Sequence, residues 1–211
     1  SEPFKQKESL VIYNGVSKDF ALKGMAHKYN NLAKERFQVL MIGSLKDYKG
    51  IKELFAIAAI LENEKRIQFT VVLNAEPQEI AAYVKTVKLP LNVKLVPRQK
   101  NVIPFYQQAN LVLNLSRVDE WVETFGLTII EAMSFGIPVI VPPVGGPTEI
   151  VANNKEGYLI ASYNIIEIAD KIRMLSNNES KCMALSKSAR ERALFFNEAN
   201  FNKTILNILN A

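Results

Sequence analysis

Residues 111–141 read LVLNLSRVDEWVETFGLTIIEAMSFGIPVIV, and the changes of pattern inside this stretch decide the fold. Leu111 to Leu115 is a short, β-rich apolar run and Ser116 to Phe125 is polar. The helix-patterned segment after Phe125 stops near Gly136 and Pro138, a C-terminal glycine followed by a residue that cannot continue a helix. A new apolar strand, Pro138 to Val141, starts there. Strand, loop, helix and strand in succession form a βαβ unit with parallel strands.

The same alternation extends in both directions. Further strands are expected at Phe37 to Ile42, Gln68 to Leu73, Val93 to Val96 and Gly157 to Ile160, bounded by turn residues. Lys49 to Glu62 carries Ile51, Leu54, Phe55, Ala58 and Ala59 at helical spacing with one apolar stripe. Pro77 to Val87 and Val102 to Gln108 read as shorter helices. Ile165 to Leu175, Ser180 to Phe195 and Ala199 to Leu209 read as packing helices. The expectation is an α/β fold: a doubly wound, parallel, six-stranded Rossmann-like sheet with helices on both faces. Residues 1–36 are less regular and read as a leading arm, in which LVIYNGV suggests a short strand and an Asn-Gly turn. Residues 37–211 hold the sheet.

Composition narrows the function classes. The chain has 211 residues, 48% hydrophobic and 22% charged, the balance of an ordinary globular domain. The stretch SEPFKQKESL has no apolar signal-peptide core, and no run approaches the roughly 20 apolar residues that span a bilayer. With one cysteine, Cys182, and one histidine, His27, there is no disulfide framework, no zinc spacing and no Ser-His-Asp arrangement. His27 lies in the polar stretch MAHKYNN and reads as a solvated surface residue. The net charge of +5 favours anionic partners only weakly, because the lysines are scattered.

Ligands of a doubly wound sheet bind outside the carboxyl ends of the strands, where the strand order reverses. That rule selects three loops: GSLKDYKG (43–50), SRVDEWVETF (116–125) and PPVGGP (142–147). The first sets Gly43, Ser44, Lys46 and Lys49 at a helix N-terminus, a combination suited to a diphosphate, although it is neither a Walker loop nor GxGxxG. Solvated lysines beside a turn would look the same. In the second loop Thr124 reads as an N-cap, which would leave the amides of Phe125, Gly126 and Leu127 facing the mouth of the sheet. Glu123 lies just outside that turn. Glu131 lies inside the helix among Leu127, Thr128, Ser134 and Phe135, a setting in which a carboxylate needs a partner. The residues alone leave two readings open: a dipole-favoured carboxylate with a salt-bridged neighbour, or two acceptors for the hydroxyls of a sugar.

The sequence E-T-F-G-L-T-I-I-E-A-M-S-F-G-I-P-V-I resembles the E-x7-E signature of family 4 glycosyltransferases with the GT-B architecture. V-G-G-P-T-E-I-V and N-K-E-G-Y-L-I resemble its continuation. V-I-Y-N-G-V is similar to its inter-domain linker, V-L-M-I-G-S-L-K-D-Y-K-G to its first strand and phosphate loop, and V-P-R-Q-K-N-V-I-P-F-Y-Q-Q-A-N-L-V-L-N-L-S to the segment between its third and fourth strands. The order holds from about Leu10 to Ile160.

The resemblance implies the C-terminal half of a GT-B fold, a retaining transferase that moves a hexosyl unit from a nucleotide-diphosphate sugar, such as a UDP- or GDP-sugar, to a glycan or lipid acceptor. Glu131 would bind the ribose, Glu123 the donor sugar, Phe125, Gly126 and Leu127 the sugar hydroxyls and leaving diphosphate, Lys49 the phosphate charge, and backbone near Arg98 and Gln99 the base. It implies no cofactor and no obligatory metal, and no nucleic-acid partner. It also implies a cytoplasmic enzyme with room for peripheral contact at the inner membrane face, completed by an N-terminal acceptor domain that this sequence does not contain. The fragment alone is expected to bind donor weakly and transfer nothing. Two other readings stay open: a free-standing nucleotide-sugar-binding or regulatory module, and a charge-driven module for nucleic acid or membrane surfaces.

The sequence departs from the family pattern twice. Ser44 stands where an arginine is frequent, which removes a bidentate phosphate contact that Lys46 would have to replace. Pro97 stands where a glycine usually follows the third strand. A wholly helical Glu123–Glu131 segment would separate the carboxylates by about 12 Å, and no acid–base pair of a hydrolase is legible.

Overall fold

A computed structural model describes residues 12–29 and 36–209. Six parallel strands form one sheet: β1 (Phe37–Gly43), β2 (Ile67–Leu73), β3 (Val93–Val96), β4 (Leu111–Leu113), β5 (Val139–Val141) and β6 (Gly157–Leu159). Their spatial order is β3-β2-β1-β4-β5-β6, the doubly wound order expected. All six lie within two residues of the stretches read from sequence. β4 ends two residues earlier than read, at Leu113, although the Asn114 amide still donates to the Ile140 carbonyl of β5 at 2.9 Å.

Strands with both faces covered lose the polar–apolar alternation and become continuous apolar runs. Val39, Leu40 and Met41 in β1, and all of Leu111–Leu113 and Val139–Val141, are buried. The chain steps from β1 to β2 and β3 in one direction and from β4 to β5 and β6 in the other. Right-handed crossovers therefore put the connecting helices on opposite faces. α2 (Ile51–Ile60) packs with α7 (Ile165–Ser176), whereas α5 (Leu127–Ser134) packs with α8 (Glu179–Ala193) and α1 (Lys18–Ala26). The remaining helices are α3 (Pro77–Val84), α4 (Ile103–Gln108), α6 (Pro147–Ile150) and α9 (Glu198–Leu209).

Local chemistry explains most element ends. α3 starts with a capping box between Glu76 and Glu79 and has Pro77 in its first turn. α5 stops as its sequence requires: Gly136 adopts φ 69° and the Ile137 amide donates to the Ala132 carbonyl at 3.0 Å, after which Pro138 enters β5.

The leading arm differs from its sequence reading. Ser17 caps α1, its hydroxyl accepting from the Phe20 amide at 3.4 Å, and α1 lies against α5. The apolar stripe of this helix is thin, only Gly24 being buried, so periodicity gave no signal. In LVIYNGV, residues 12–15 are irregular and Val16 makes only a bridge to Asn197; Leu10 and Val11 lie outside the described residues. His27 is half-buried rather than solvated, with its ring 5.7 Å from that of Phe135. Two further boundaries move: a 3-10 turn, Asp47–Lys49, precedes α2, and α3 ends at Val84, short of Val87.

Arg190 of α8 ties this side together. Its guanidinium donates to the carbonyls of Gly24 at 2.8 Å, His27 at 2.9 Å and Phe135 at 3.0 Å, where α1 and α5 end. Helix-end carbonyls without a partner are costly when buried. Arg190→Met, which keeps the stem and removes the donors, is expected to destabilise the fold by about 2–3 kcal/mol. A chemical-denaturation midpoint equal to that of the parent would refute this.

Candidate functional site at the β1–β4 switch point

The strand order reverses between β1 and β4, and the carboxyl ends of these two strands open into a cleft. One cavity of about 210 Å3 is lined by Gly43, Lys49, Asn114, Ser116, Glu123 and Gly126, with Leu127 and Thr128 of α5. A second, of about 200 Å3, shares Ile42, Gly43 and Thr128 with the first and continues along Asn74, Arg98, Gln99 and Val102. A Cβ added at Gly43 would meet nothing within 4 Å, so the floor at the junction is open. The two cavities adjoin at these shared residues, and we refer to the pair as the trough.

Glu123 is held at one side of the trough. Its Oε2 accepts from Lys49 Nζ at 2.9 Å, and Ser116 Oγ, itself buried, lies 3.5 Å from both. Both side chains of the ion pair are largely covered, at 21% and 16% exposure, so removing either partner would strand the other charge. The Lys49 ammonium also lies 5.5 Å from the Trp121 ring and 5.8 Å from the Tyr48 ring.

The PPVGGP loop serves this arrangement from behind. The Gly146 amide donates to the Glu123 carbonyl at 2.9 Å, and a Cβ at Gly145 or Gly146 would run into the backbone of Glu123 or Thr124. These glycines allow close backbone packing, line neither cavity, and hold the backbone that carries Glu123.

The N-cap of α5 is Gly126 at φ 86°, not Thr124, and no side chain caps it. The first-turn amides at the trough are therefore those of Leu127 and Thr128. The Phe125 ring packs 6.4 Å from Tyr13 and 6.2 Å from Phe196. The wholly helical segment between the carboxylates does not exist: residues 123–126 are non-helical, and Glu123 and Glu131 answer to different partners.

Glu131 lies one turn beyond Thr128 on α5, half-buried. Its Oε2 accepts from the Tyr106 hydroxyl of α4 at 2.6 Å. Burial pushes the Glu131 carboxyl above its ordinary range, and the Tyr106 hydrogen bond pulls part of that back. Tyr106 is fully buried, which raises its own pKa well above 10.0 and keeps the hydroxyl a donor. Tyr106 was not legible as a site residue, because in VIPFYQQ it reads only as one apolar position of a helix. Ser116 gave slightly more signal, as the first residue of a loop already selected.

Of the residues expected at the site, Gly43, Lys49, Glu123, Gly126, Leu127, Arg98 and Gln99 line the trough and Glu131 lies behind it. Ser44, Lys46 and Phe125 line neither cavity, and Lys46 is exposed. Arg98 is turned toward its own loop: it donates to Asn74 Oδ1 at 2.7 Å and pairs with Glu76 at 3.3 Å. Among the described residues no helix is long and apolar enough to cross a membrane.

Known proteins resemble this chain in sequence and in fold. The chain is 27% identical over 172 residues to the capsular polysaccharide biosynthesis glycosyltransferase CapM of Staphylococcus aureus, covering 80% of this chain and 44% of that protein. A Staphylococcus aureus TarM mutant, solved in complex with fondaparinux, alpha-GlcNAc-glycerol and UDP, superposes with a TM-score of 0.73 at 26% identity, over 88% of this chain and 38% of that one. Anabaena HepE, solved with UDP and glucose, shares the fold with a TM-score of 0.79 at 22% identity, over 96% of this chain and 56% of that one. The chain thus spans less than half the length of the curated relative CapM. The family model for glycosyl transferases group 1 matches residues 24–192, and the chain belongs to that family.

Proposed function

We propose that this chain is the donor-binding part of a retaining glycosyltransferase that moves a hexosyl unit from a nucleotide-diphosphate sugar to a glycan or lipid acceptor. The observation that supports it most is the trough at the β1–β4 switch point, lined by the Lys49–Glu123 pair and by the uncapped first turn of α5. UDP in the TarM complex supports a uridine donor over a guanosine one.

In this reading the diphosphate takes the Lys49 ammonium and the Leu127 and Thr128 amides, which face it with the positive end of the α5 dipole. Glu123, released from Lys49, accepts hydroxyls of the donor sugar. As the bond from the anomeric carbon to the phosphate oxygen lengthens, negative charge grows on the leaving diphosphate. Lys49 and the amides are already aimed at it, so little reorganisation is needed. The base lies along Arg98 and Gln99, and Glu131 accepts the ribose hydroxyls with Tyr106 fixing its orientation. The residues on the trough supply this charge stabilisation without calling on a metal ion. The acceptor site belongs mainly to the rest of the enzyme, residues 1–36 being the link toward it.

Glu131→Gln tests the ribose assignment. A carboxyl whose folded pKa is raised costs stability when it ionises, and the cost grows as pH rises from the ordinary 4.5 through the raised value. Glutamine removes that cost and keeps an acceptor for Tyr106, so the melting temperature at pH 7 is expected to hold or rise. Affinity for UDP is expected to fall by about 10–100-fold, the worth of hydrogen bonds to a charged group. In the parent, UDP affinity should also fall as pH is lowered through that window. Calorimetric titration with UDP at pH 7 showing equal affinity for parent and variant would sink the assignment.

A further inference from the structure

Trp121 stands apart from the donor trough although it touches the trough's charge pair. It is 45% exposed, its ring stacks on that of Tyr48 with centroids 5.2 Å apart and planes at 25°, and it lines neither cavity. The indole is presented rather than loose. The Trp121 amide donates to the Arg117 carbonyl at 2.8 Å and the Arg117 amide to the Tyr48 carbonyl at 2.8 Å. The Arg117 guanidinium is pinned by Glu53 at 2.8 Å and Glu120 at 2.7 Å. A rigid, half-exposed aromatic face is a stacking surface whose binding partner loses little by docking on it.

The surroundings select the chemistry of that partner. Asp119 and Glu120 are exposed immediately before Trp121; Glu120 gives one oxygen to Arg117, so Asp119 and the second Glu120 oxygen are the acceptors facing hydroxyls, and Asp119 repels phosphates and nucleic acid. A neutral polyhydroxylated ring with C–H groups on one face fits both the indole and the carboxylates. Lys49 Nζ bridges the two regions, 5.5 Å from the Trp121 ring and 2.9 Å from Glu123, so a ring on Trp121 lies one side chain from the donor-sugar position.

We propose that Trp121, backed by Tyr48, is a platform for a pyranose ring of the acceptor, on the outer side of the Lys49–Glu123 pair. The proposal rests on the donor-site reading above for the side it assigns to donor. Trp121 is the only tryptophan of the chain, so its emission reports on this platform directly.

Maltotriose, cellotriose and chitotriose titrated into the chain saturated with UDP are expected to include one that shifts Trp121 emission saturably in the millimolar range. Trp121→Ala should weaken that trisaccharide about tenfold in calorimetry and leave UDP and UDP-glucose within about twofold, and Trp121→Phe should recover most of the loss. No emission change with any of the three, or unchanged trisaccharide affinity in Trp121→Ala, overturns the platform. Loss of UDP-glucose affinity in Trp121→Ala with UDP unaffected assigns the ring to the donor and overturns the acceptor role. Failure of the parent to bind UDP counts against the donor reading instead, and the same titration without UDP then decides the platform.

Discussion

Replacing Lys49 by alanine is expected to lower kcat for sugar transfer by about 10²–10³-fold in the complete enzyme, the cost of removing one preorganised donor from a site of developing charge. The ammonium is the cation that the structure brings to the trough beside Glu123, and Lys46, the other lysine of the loop, is exposed and lines neither cavity. No second residue of the 43–50 loop can therefore take over, and Ser44 supplies no charge. Donor affinity should fall less than kcat, because in the proposed binding mode the ground state keeps the α5 amides, Glu131 and the base contacts. The variant should fold with reduced stability: Glu123 is left without its cation but keeps Ser116 within 3.5 Å and some solvent exposure. Steady-state kinetics with varied donor separate the two parameters. A kcat within threefold or so of the parent would remove Lys49 from the chemistry.

Gly50→Ala is expected to be the most disruptive single-atom change to the architecture of the site, at about 3–5 kcal/mol. Gly50 joins the 3-10 turn to α2 at φ 79°, a conformation that costs any other residue strain. Its added Cβ would also run into the carbonyl oxygen and side chain of Leu115, where β4 gives way to the Ser116 loop. The strain and the overlap arise at one atom, and Leu115 is fully buried and has no room to yield. Lys49 is the preceding residue, so whatever protein still folds should bind donor weakly. In thermal unfolding, roughly 2–4 °C is lost per kcal/mol for a domain of this size, which predicts a midpoint lower by about 6–20 °C. A midpoint within two or so degrees of the parent would show that the turn can be rebuilt without glycine.

The sheet itself was legible because its signals are local. Apolar runs of strand length, the stop at Gly136 and Pro138, and the helical stripe of α2 each depend on neighbours within a turn or two, and they appear where the pattern put them. The same locality explains the misses. α1 has a capping serine and an Asp19–Lys23 pair but almost no buried stripe, so no periodicity marked it. Thr124 carried the chemistry of a cap, yet Gly126 took the position, because Gly145 and Gly146 press against the backbone at 123–125 and fix it outside the helix. That pressure comes from residues twenty positions away and leaves no local trace.

What the sequence determined by itself was the alternation of strands and helices, the loops that end at the switch point, and the candidates Lys49, Glu123 and Glu131. What only the tertiary structure decided was who meets whom. Parallel order sets β1 beside β4, which brings Lys49 to Glu123 across 74 positions, and α4 beside α5, which brings Tyr106 to Glu131 across 25. A carboxylate announces in sequence that it needs a partner, because burying it unpaired is costly. Which donor answers is settled by chain topology, and topology is a property of the packed sheet rather than of any segment in it.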